Sequence, residues 1–493
     1  MNTSSLLSRS WGLFLVAGFL APAYGQVRRH DLSRASAIEL ELCRIKDLPD
    51  ARCGKLSVFE DRKQKAGSQI TLNIVVVPAT APVAINPPVF FMDGGPGGAA
   101  TEAADYVSLK WLRGVHRDHD IVFIDERGTG KSGPLKCGDI GGDPNHADAF
   151  FGKPFPPEML AACRDELQKT ADLRFYTTEL FIDDVNDVRQ ALNYSQISLV
   201  GFSYGSLAAQ EYIRRYPDQV RSAFLFGLVG PDYRLPLPFA ETSERALEHL
   251  WQDCSADKEC HQAFPSVQQE FQEVLQRFGR GYLEAEMVDP KTQAKRVIQL
   301  SRASYVEHLR EMLYSTASAR FVPFVIHCAF EGNFVPFGLV AARFPRGSAG
   351  SYAGLHFSNI CSEAIPFITS ADLARATRKT FLGDSRVKTY SEVCKVWPRG
   401  DISRSFLKPV ITRIPILVFS GEEDGVTPPW LAKRAMRNWP NALQVSIPHS
   451  GHQFDSQCEF NIVEAFFKAG SARDLDTSCI GDTKRPPFAL SFP

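Results

Sequence analysis

Short apolar runs rich in β-branched residues recur along the first half of this chain and return near its end. Such runs, bounded by Gly, Pro, Asp or Asn, are typical of buried strands. The predicted strands are 70–77, 89–92, 121–124, 197–200, 223–226, 414–419 and 443–447. Between several of them, apolar residues lie three or four positions apart, as in Ile182, Val185, Val188 and Leu192, which indicates one face of a helix. Alternating strands and helices predict an α/β fold with a mostly parallel sheet and helices on both faces.

This alternation stops after Gly230, where several prolines precede a long stretch with helical character and little strand signal. Strand character resumes near Ile411, so we predict one α/β core interrupted by a helical cap domain. The predicted division is a signal peptide at 1–25, the core at 26–230 and 406–480, the cap at 231–405 and a tail at 481–493. The tail is expected to be either a surface strap or disordered.

The first 25 residues have the pattern of a secretory signal peptide. Arg9 precedes the apolar run 11–21, and the small residues Ala23 and Gly25 stand before the expected cleavage site at Gln26. An uncleaved anchor is the lesser alternative, because the run is shorter than the roughly 20 residues that span a bilayer. We therefore expect a secreted or periplasmic protein with no membrane span after cleavage.

The 11 cysteines fit an oxidising compartment, where disulfides persist. Their spacing suggests local loops, although sequence alone does not fix connectivity. The predicted pairs are Cys43–Cys53, Cys137–Cys163, Cys254–Cys260, Cys361–Cys394 and Cys458–Cys479. Cys328 is left over and is expected to be a free, buried, small apolar residue. Paired C-x-x-C modules with zinc spacing do not occur, so no metal site is predicted.

The pentapeptide Gly-Phe-Ser-Tyr-Gly at 201–205 matches the pattern G-x-S-x-G. A predicted strand precedes it and a plausible helix follows, which is the context of a nucleophile elbow. The small flanking residues permit the strained turn that lifts the hydroxyl of Ser203 above the sheet edge. We therefore predict that Ser203 is a nucleophile.

A serine nucleophile needs a histidine as general base and a carboxylate that orients the histidine. Asp424 follows the predicted strand 414–419, and His452 follows the last predicted strand. Both are in the chain order Ser, Asp, His of the α/β hydrolases. Glu422 and Glu423 are alternatives for the acid and His449 for the base; we favour Asp424 for the Gly and Thr-Pro after it, and His452 for its preceding glycine.

Two backbone amides are expected to form an oxyanion hole, those of Tyr204 and of Gly95 in the glycine-rich stretch 93–98. A phosphate-binding loop is the alternative for this stretch and for 128–132. Neither satisfies the P-loop pattern, so we predict no nucleotide and no cofactor. The formal net charge of −1 gives no field that would attract nucleic acid.

Together these motifs resemble the proline iminopeptidase and tripeptidyl aminopeptidase family of α/β-hydrolase serine peptidases, over nearly all of the chain after residue 25. The sequence Ser-Tyr-Gly-Ser at 203–206 is more similar to the tripeptidyl branch. The resemblance implies an exopeptidase that acts on short peptides with a free N-terminus, bound by acidic residues of the cap. Glu363 matches such an acid, and Glu331 is a weaker candidate. Family members commonly have aspartate at the first of these sites.

The predicted function is thus a serine aminopeptidase or tripeptidyl aminopeptidase that forms an acyl-enzyme. An extracytoplasmic carboxylesterase of the same fold is the alternative, since a Ser-His-Asp triad cleaves esters and amides alike. A non-catalytic binding protein on a hydrolase scaffold is a more remote alternative. The residue preference, the number of residues removed and the oligomeric state do not follow from the sequence.

Overall fold

The computed structural model describes residues 38–45, 48–81, 84, 86–107, 112–138, 140, 150–153, 155–279, 281–289, 294–344 and 352–492. The predicted signal peptide lies outside these residues. In the described part of the chain, no helix is both long enough and apolar enough to cross a membrane.

A sheet of nine strands forms the centre of the molecule. Its strands are β1 (Glu41–Leu42), β2 (Arg52–Phe59), β3 (Gln69–Val77), β4 (Val89–Met92), β5 (Ile121–Ile124), β6 (Ile197–Phe202), β7 (Val220–Phe226), β10 (Ile416–Gly421) and β11 (Ala442–Ile447). Their order is β1-β2-β3-β5-β4-β6-β7-β10-β11. The strands from β5 to β11 in this order are parallel, and β1, β2 and β3 pair antiparallel at one side. All seven predicted strands are confirmed within a few residues.

Helices lie between the strands of the sheet along the chain, and they form most of the segment between β7 and β10. They are α1 (Ala100–Val107), α2 (Arg113–Asp118), α3 (Pro157–Leu167), α4 (Thr178–Ala191), α5 (Tyr204–Arg215), α6 (Phe239–Ala256), α7 (Lys258–Ala263), α8 (Val267–Arg277), α9 (Arg302–Met312), α10 (Thr316–Ala319), α11 (Val322–Phe330), α12 (Val335–Arg343), α13 (Ala353–Glu363), α14 (Ser370–Thr377), α15 (Ser385–Cys394), α16 (Pro429–Ala435) and α17 (Gln457–Ala469). The predicted α/β architecture is confirmed.

The chain between β7 and β10, residues 227–415, is called the insert below. Helices α6 to α12 share one apolar cluster, which includes Phe271 and Phe337. Helices α13 and α15 instead pack in the same cluster as the central strands, through residues such as Phe357 and Tyr390. The second part of the insert therefore lies against the sheet, close to the strand ends.

The insert also contains a two-stranded antiparallel hairpin, β8 (Tyr282–Val288) and β9 (Lys295–Ser301), which the sequence analysis did not predict. One face of the hairpin is apolar, with Ala285, Met287, Ile298 and Leu300 buried. Glu284 and Glu286 flank Ala285, and Gln299 separates Ile298 from Leu300, so the segment has no long apolar run. A period of two is typical of a strand with one buried face.

All five predicted disulfides are confirmed, with sulfur-to-sulfur distances between 1.89 and 2.11 Å. Cys328 has no disulfide partner, as predicted. It is half-buried rather than buried, because α11 buries Val325, Ile326 and Ala329 and leaves Cys328 at the edge of that face. Burial raises the pKa of its thiol, which makes the reactive thiolate scarcer.

The tail packs as a strap rather than projecting into solvent. Phe488 and Ala489 are buried in the apolar cluster of the insert, and the amide of Ala489 donates to the carbonyl of Arg320 at 3.0 Å. The disulfide Cys458–Cys479 ties the chain before this strap to α17. The tail thus connects the end of the core to the insert.

Candidate active site

Ser203 occupies a sharp turn between β6 and α5. Its φ of 51° and ψ of −118° lie in a region that a residue with a side chain rarely adopts, as expected for the serine of a nucleophile elbow. The amide of Ser203 donates to the carbonyl of Phe226 at 2.9 Å. The amide and hydroxyl of Ser206 donate to the carbonyl of Ser203 at 2.9 and 2.6 Å. These bonds hold the strained turn in place.

The two glycines of the motif are required by close backbone contacts. A Cβ atom on Gly205 would lie 2.1 Å from the carbonyl oxygen of Met92, and one on Gly201 would lie 2.5 Å from that of Gly205. Real Cβ atoms do not approach backbone so closely, and backbone cannot move aside easily. The helix can therefore pack over the ends of β4 and β6 only with glycine at these positions.

Asp424 and His452 form a direct hydrogen bond. Nδ1 of His452 lies 2.7 Å from Oδ2 of Asp424, whose other oxygen accepts from the amides of Val426 and Thr427 at 2.7 and 2.9 Å. The hydroxyl of Thr427 donates to Oδ2 at 2.7 Å and lies 3.0 Å from Nδ1 of His452. Sequence reasoning missed Thr427 as a contributor to this site, although it stands in the Thr-Pro pair after the acid.

Complete burial of the Asp424 side chain favours its neutral form, but His452 and the donors of Thr427 outweigh this effect and lower the pKa of Asp424. The carboxylate is therefore ionised at neutral pH. An ionised acid at Nδ1 fixes the histidine tautomer that leaves Nε2 free to accept a proton.

The strand register brings the serine and the histidine to the same edge of the sheet. Phe202, the last residue of β6, pairs with Phe226, the last residue of β7. Gly227 follows, and a Cβ atom on it would lie 2.7 Å from Cε1 of His452. Since the amide of Ser203 bonds to Phe226, the serine and the histidine ring both lie at the end of β7.

A second acid and histidine pair lies beside the first. Oε1 of Glu423 is 3.1 Å from Nδ1 of His449, and Arg485 of the tail bonds to both Glu423 and Asp253. The carboxylates of this cluster thus already have a guanidinium as their cation. Of the alternatives weighed from the sequence, Glu423 and His449 contact each other, whereas Asp424 bonds to His452, whose ring lies against the end of β7.

The glycine-rich loop after β4 lies against Ser203. A Cβ atom on Gly94 would lie 3.3 Å from Cβ of Ser203. Gly95 has a φ of 123°, which favours glycine. Tyr204 is the first residue of α5, so its amide has no acceptor within the helix. The loop that contains Gly95 thus lies against Ser203 through Gly94, and Tyr204 follows Ser203 directly in the chain.

The hydroxyl of Tyr204 is the second of four oxygen atoms in a buried hydrogen-bonded chain that runs from Glu126 to Glu363. The contacts of Tyr204 are as follows. Its hydroxyl lies 3.0 Å from Oε1 of Glu126 and 2.7 Å from Oγ1 of Thr178, which lies 2.7 Å from Oε2 of Glu363. The amide of Thr178 donates to the other oxygen of Glu363 at 2.6 Å. Three contacts need three hydrogens, but the two hydroxyls supply two. One of the carboxyl groups must therefore be protonated.

The pKa values of this chain agree with that count. Burial raises the pKa of Glu126 to about 8 and that of Glu363 to about 8. Hydrogen bonds from Tyr204 and Thr178 oppose these increases without cancelling them. The sequence indicated Glu363 only through a family resemblance and gave no signal for Thr178, which joins the site only by folding.

The second candidate acid, Glu331, lies elsewhere. It ends α11, exposes 64% of its side chain and lies 3.8 Å from Nε2 of His327. Within the described residues, no hydrogen bond or ion pair joins Glu331 to Ser203, Asp424 or His452. The structure brings Glu363, but not Glu331, into contact with the residues around the nucleophile.

Comparison with known proteins gives two family matches. Residues 87–281 match the family described as alpha/beta hydrolase fold, and residues 379–479 match the family described as TAP-like protein. The first match contains Ser203, and the second contains Asp424 and His452. The two matches therefore cover both halves of the site.

Several curated proteins are similar to parts of the chain. The serine protease Hip1 of Mycobacterium tuberculosis is 26% identical over 50% of this chain and 50% of its own length. The tripeptidyl aminopeptidase of Streptomyces coelicolor is 26% identical over 36% of this chain and 35% of its own. The proline iminopeptidase of Aeromonas sobria is 25% identical over 29% of each. The chain thus spans about half the length, or less, of these relatives. With the fold, these findings show an α/β hydrolase whose chain is similar, over part of its length, to several proteins named as peptidases.

Proposed function

We propose that this protein is a serine exopeptidase that cleaves short peptides from a free N-terminus. The observation that carries the proposal is the hydrogen bond of 2.7 Å between the buried Asp424 and His452, at the sheet edge where Ser203 forms a strained elbow. This arrangement suits acyl transfer from an amide or ester to a serine hydroxyl.

In the proposed mechanism, His452 takes the proton of Ser203 through Nε2 as the hydroxyl attacks the scissile carbonyl. Asp424 stabilises the imidazolium that forms, and the amides of Tyr204 and Gly95 stabilise the oxyanion. His452 then gives its proton to the leaving amine. Water later attacks the acyl-enzyme by the same route and releases the acyl product.

We propose that Glu363, assisted by Glu126, recognises the substrate ammonium group. Both carboxyl groups are buried, and a pKa of about 8 shows that each lacks a sufficient cation in the free protein. An ammonium group with a pKa near 8 would supply that charge. Both acids contact the hydroxyl of Tyr204 or of its neighbour Thr178, and this proximity to the residue after Ser203 supports the proposal.

We also propose that the protein works outside the cytoplasm, after cleavage of a signal peptide before Gln26. Five disulfides support an oxidising compartment, since such bonds are rare in the cytosol. N-terminal sequencing of the protein purified from its native host tests the cleavage site.

A panel of chromogenic peptides and esters, each with a free and a blocked amino terminus, tests the function. The wild-type protein and the Glu363→Gln variant are assayed side by side, with Glu331→Gln as the matched control. We expect peptides with a free terminus to be the best substrates, and Glu363→Gln to raise KM for them by about tenfold. Glu331→Gln should leave KM unchanged.

Two results would contradict the proposal. Equal turnover of blocked and free peptides removes the exopeptidase assignment. Turnover of esters without turnover of any peptide replaces it with a carboxylesterase.

A further inference from the structure

Two arginines of the insert form a buried cluster near the site, Arg310 on α9 and Arg386 on α15. Both bond to the same oxygen, Oε1 of Glu307; for Nε of Arg310 the distance is 2.8 Å. Nη2 of Arg310 also lies 3.1 Å from Oε1 of Glu311. Only 2% of the Arg310 side chain is exposed.

Aromatic rings hold both guanidinium groups in place. Cζ of Arg310 lies 5.0 Å from the ring centre of Phe239 and 5.1 Å from that of Tyr314. Cζ of Arg386 lies 5.1 Å from the ring centre of Phe239. Burial disfavours the charge of Arg310, but Glu307, Tyr314 and Glu311 outweigh it and raise its pKa. Both groups therefore stay charged and rigid.

One end of the cluster touches the catalytic histidine. The ring of Tyr314 lies 5.7 Å from the ring of His452 and nearly perpendicular to it, and its carbonyl accepts from the amide of His452 at 2.6 Å. The hydroxyl of Tyr233 donates to the carbonyl of Val426 at 2.7 Å. Arg310 is thus separated from His452 by a single ring.

The other end touches the glycine-rich loop. Nη2 of Arg386 donates to the hydroxyl of Tyr390 at 3.1 Å, and that hydroxyl lies 3.1 Å from Nε2 of His356. Nδ1 of His356 donates to the carbonyl of Pro96 at 3.0 Å. Burial lowers the pKa of His356 to about 4, so its ring is neutral and Nε2 accepts from Tyr390. The cluster therefore extends from the residues beside His452 to the glycine-rich loop.

Two N–H groups of this cluster are not used. Among the described residues, Nη1 of Arg310 and Nε of Arg386 are buried without a hydrogen-bond acceptor. The carboxylates of Glu307 and Glu311 neutralise the two guanidinium groups. The cluster therefore has N–H groups available as hydrogen-bond donors but no net charge. Buried donors without an acceptor are costly, and a carboxylate is the acceptor that guanidinium groups bind best.

We propose that Arg310 and Arg386 bind a carboxylate on the leaving part of the substrate. The inference rests on the proposed function. His452 gives its proton to the leaving amine, and Arg310 stands on the side of His452. The carboxylate is either the free C-terminus of a short peptide or an acidic side chain next to the cleaved bond. The site thereby selects peptides in which few residues follow that bond.

Four peptides, which can be cleaved after either one or three residues, distinguish the two sources: Ala-Ala-Ala-Ala as free acid and as amide, and Ala-Asp-Ala-Asp-amide and Ala-Asn-Ala-Asn-amide. Mass spectrometry of the products gives kcat/KM for each. We expect the carboxylate member of at least one pair to exceed its neutral partner by roughly tenfold or more. A preference in the first pair identifies the C-terminal carboxylate, and one in the second pair identifies an acidic side chain.

Arg310→Met and Arg386→Met should each bring that ratio close to one, and the exposed Arg473→Met should keep the wild-type ratio. If Arg310→Met does not fold, the kcat/KM ratios of Arg386→Met and of the wild-type protein still test the inference. If all four peptides are cleaved and each carboxylate peptide has the same kcat/KM as its neutral partner, this inference is wrong and the proposed function still stands. An unchanged ratio in both arginine variants overturns the assignment to these residues. Absence of cleavage of every peptide removes the proposed function and this inference with it.

Discussion

The core and the insert contribute to the site in different ways. In the core, the functional groups stand directly after strands, at Ser203 after β6 and in the loop after β10 that carries Asp424. In the insert, Arg310 lies on α9, Tyr314 in the turn after it and Glu363 on α13, and all three reach the site only through packing. The core therefore encodes its chemistry in local motifs, and the insert encodes contacts that appear only in the folded chain.

The largest expected effect tests whether the core carries the chemistry. Ser203→Ala should lower kcat for any cleaved peptide by roughly 10⁴-fold or more, because the acyl-enzyme cannot form. Circular dichroism and Tm should stay at their wild-type values. Ser405→Ala, at an exposed position of the insert, is the control. If kcat of Ser203→Ala stays within tenfold of the wild-type value, Ser203 is not the nucleophile.

The next largest effect tests the packing of the motif. Gly205→Ala places a methyl group against the carbonyl of Met92, so we expect the free energy of unfolding to fall by about 3 kcal/mol. Gly481→Ala is the control, because a Cβ atom there meets nothing within 4 Å. Urea denaturation measures both. Equal stabilities would show that the close contact at Gly205 is absent in solution.

A smaller effect is expected at Thr427, whose hydroxyl bonds to Asp424 and lies next to Nδ1 of His452. Thr427→Val keeps the shape and removes the donor, so kcat should fall by roughly 10- to 100-fold. Thr427→Ser should restore most of this loss. A Thr427→Val variant as active as the wild type would show that the hydroxyl is not needed.

The smallest effect concerns the acids beside Tyr204. A carboxyl group whose pKa is raised to about 8 on folding keeps its proton in the folded state and loses it in the unfolded state between its ordinary value of 4.5 and pH 8. The folded state then binds more protons, so stability falls as pH rises through this window. Glu363→Gln should flatten that fall in Tm by a few degrees, and Glu331→Gln should not. If the Tm of the wild-type protein and that of Glu363→Gln both rise from pH 5 to pH 8, burial does not raise the pKa of Glu363 as described.

The sequence predicted the core well because its determinants are local. A buried strand shows as a continuous apolar run, and Gly201 and Gly205 show as a motif because backbone contacts allow no other residue there. The disulfides followed from short separations. The hairpin β8–β9 was missed since only one of its faces is buried.

The arginine cluster was not predictable in the same way. Arg310 and Arg386 are 76 residues apart, and nothing near either of them distinguishes a buried guanidinium from a solvated one. Thr178 bonds to Glu363 from 185 residues away, and Glu126 bonds to Tyr204 from 78 residues away. Such contacts depend on tertiary packing, which periodicity and motifs do not describe.

Labelling with a fluorophosphonate tests the central claim most directly. The reagent phosphonylates an activated serine hydroxyl, and mass spectrometry of the digested protein identifies the modified residue. We predict one adduct, on Ser203, which is lost in Ser203→Ala and in the denatured protein. An adduct on another residue, or labelling that survives Ser203→Ala, would contradict the account.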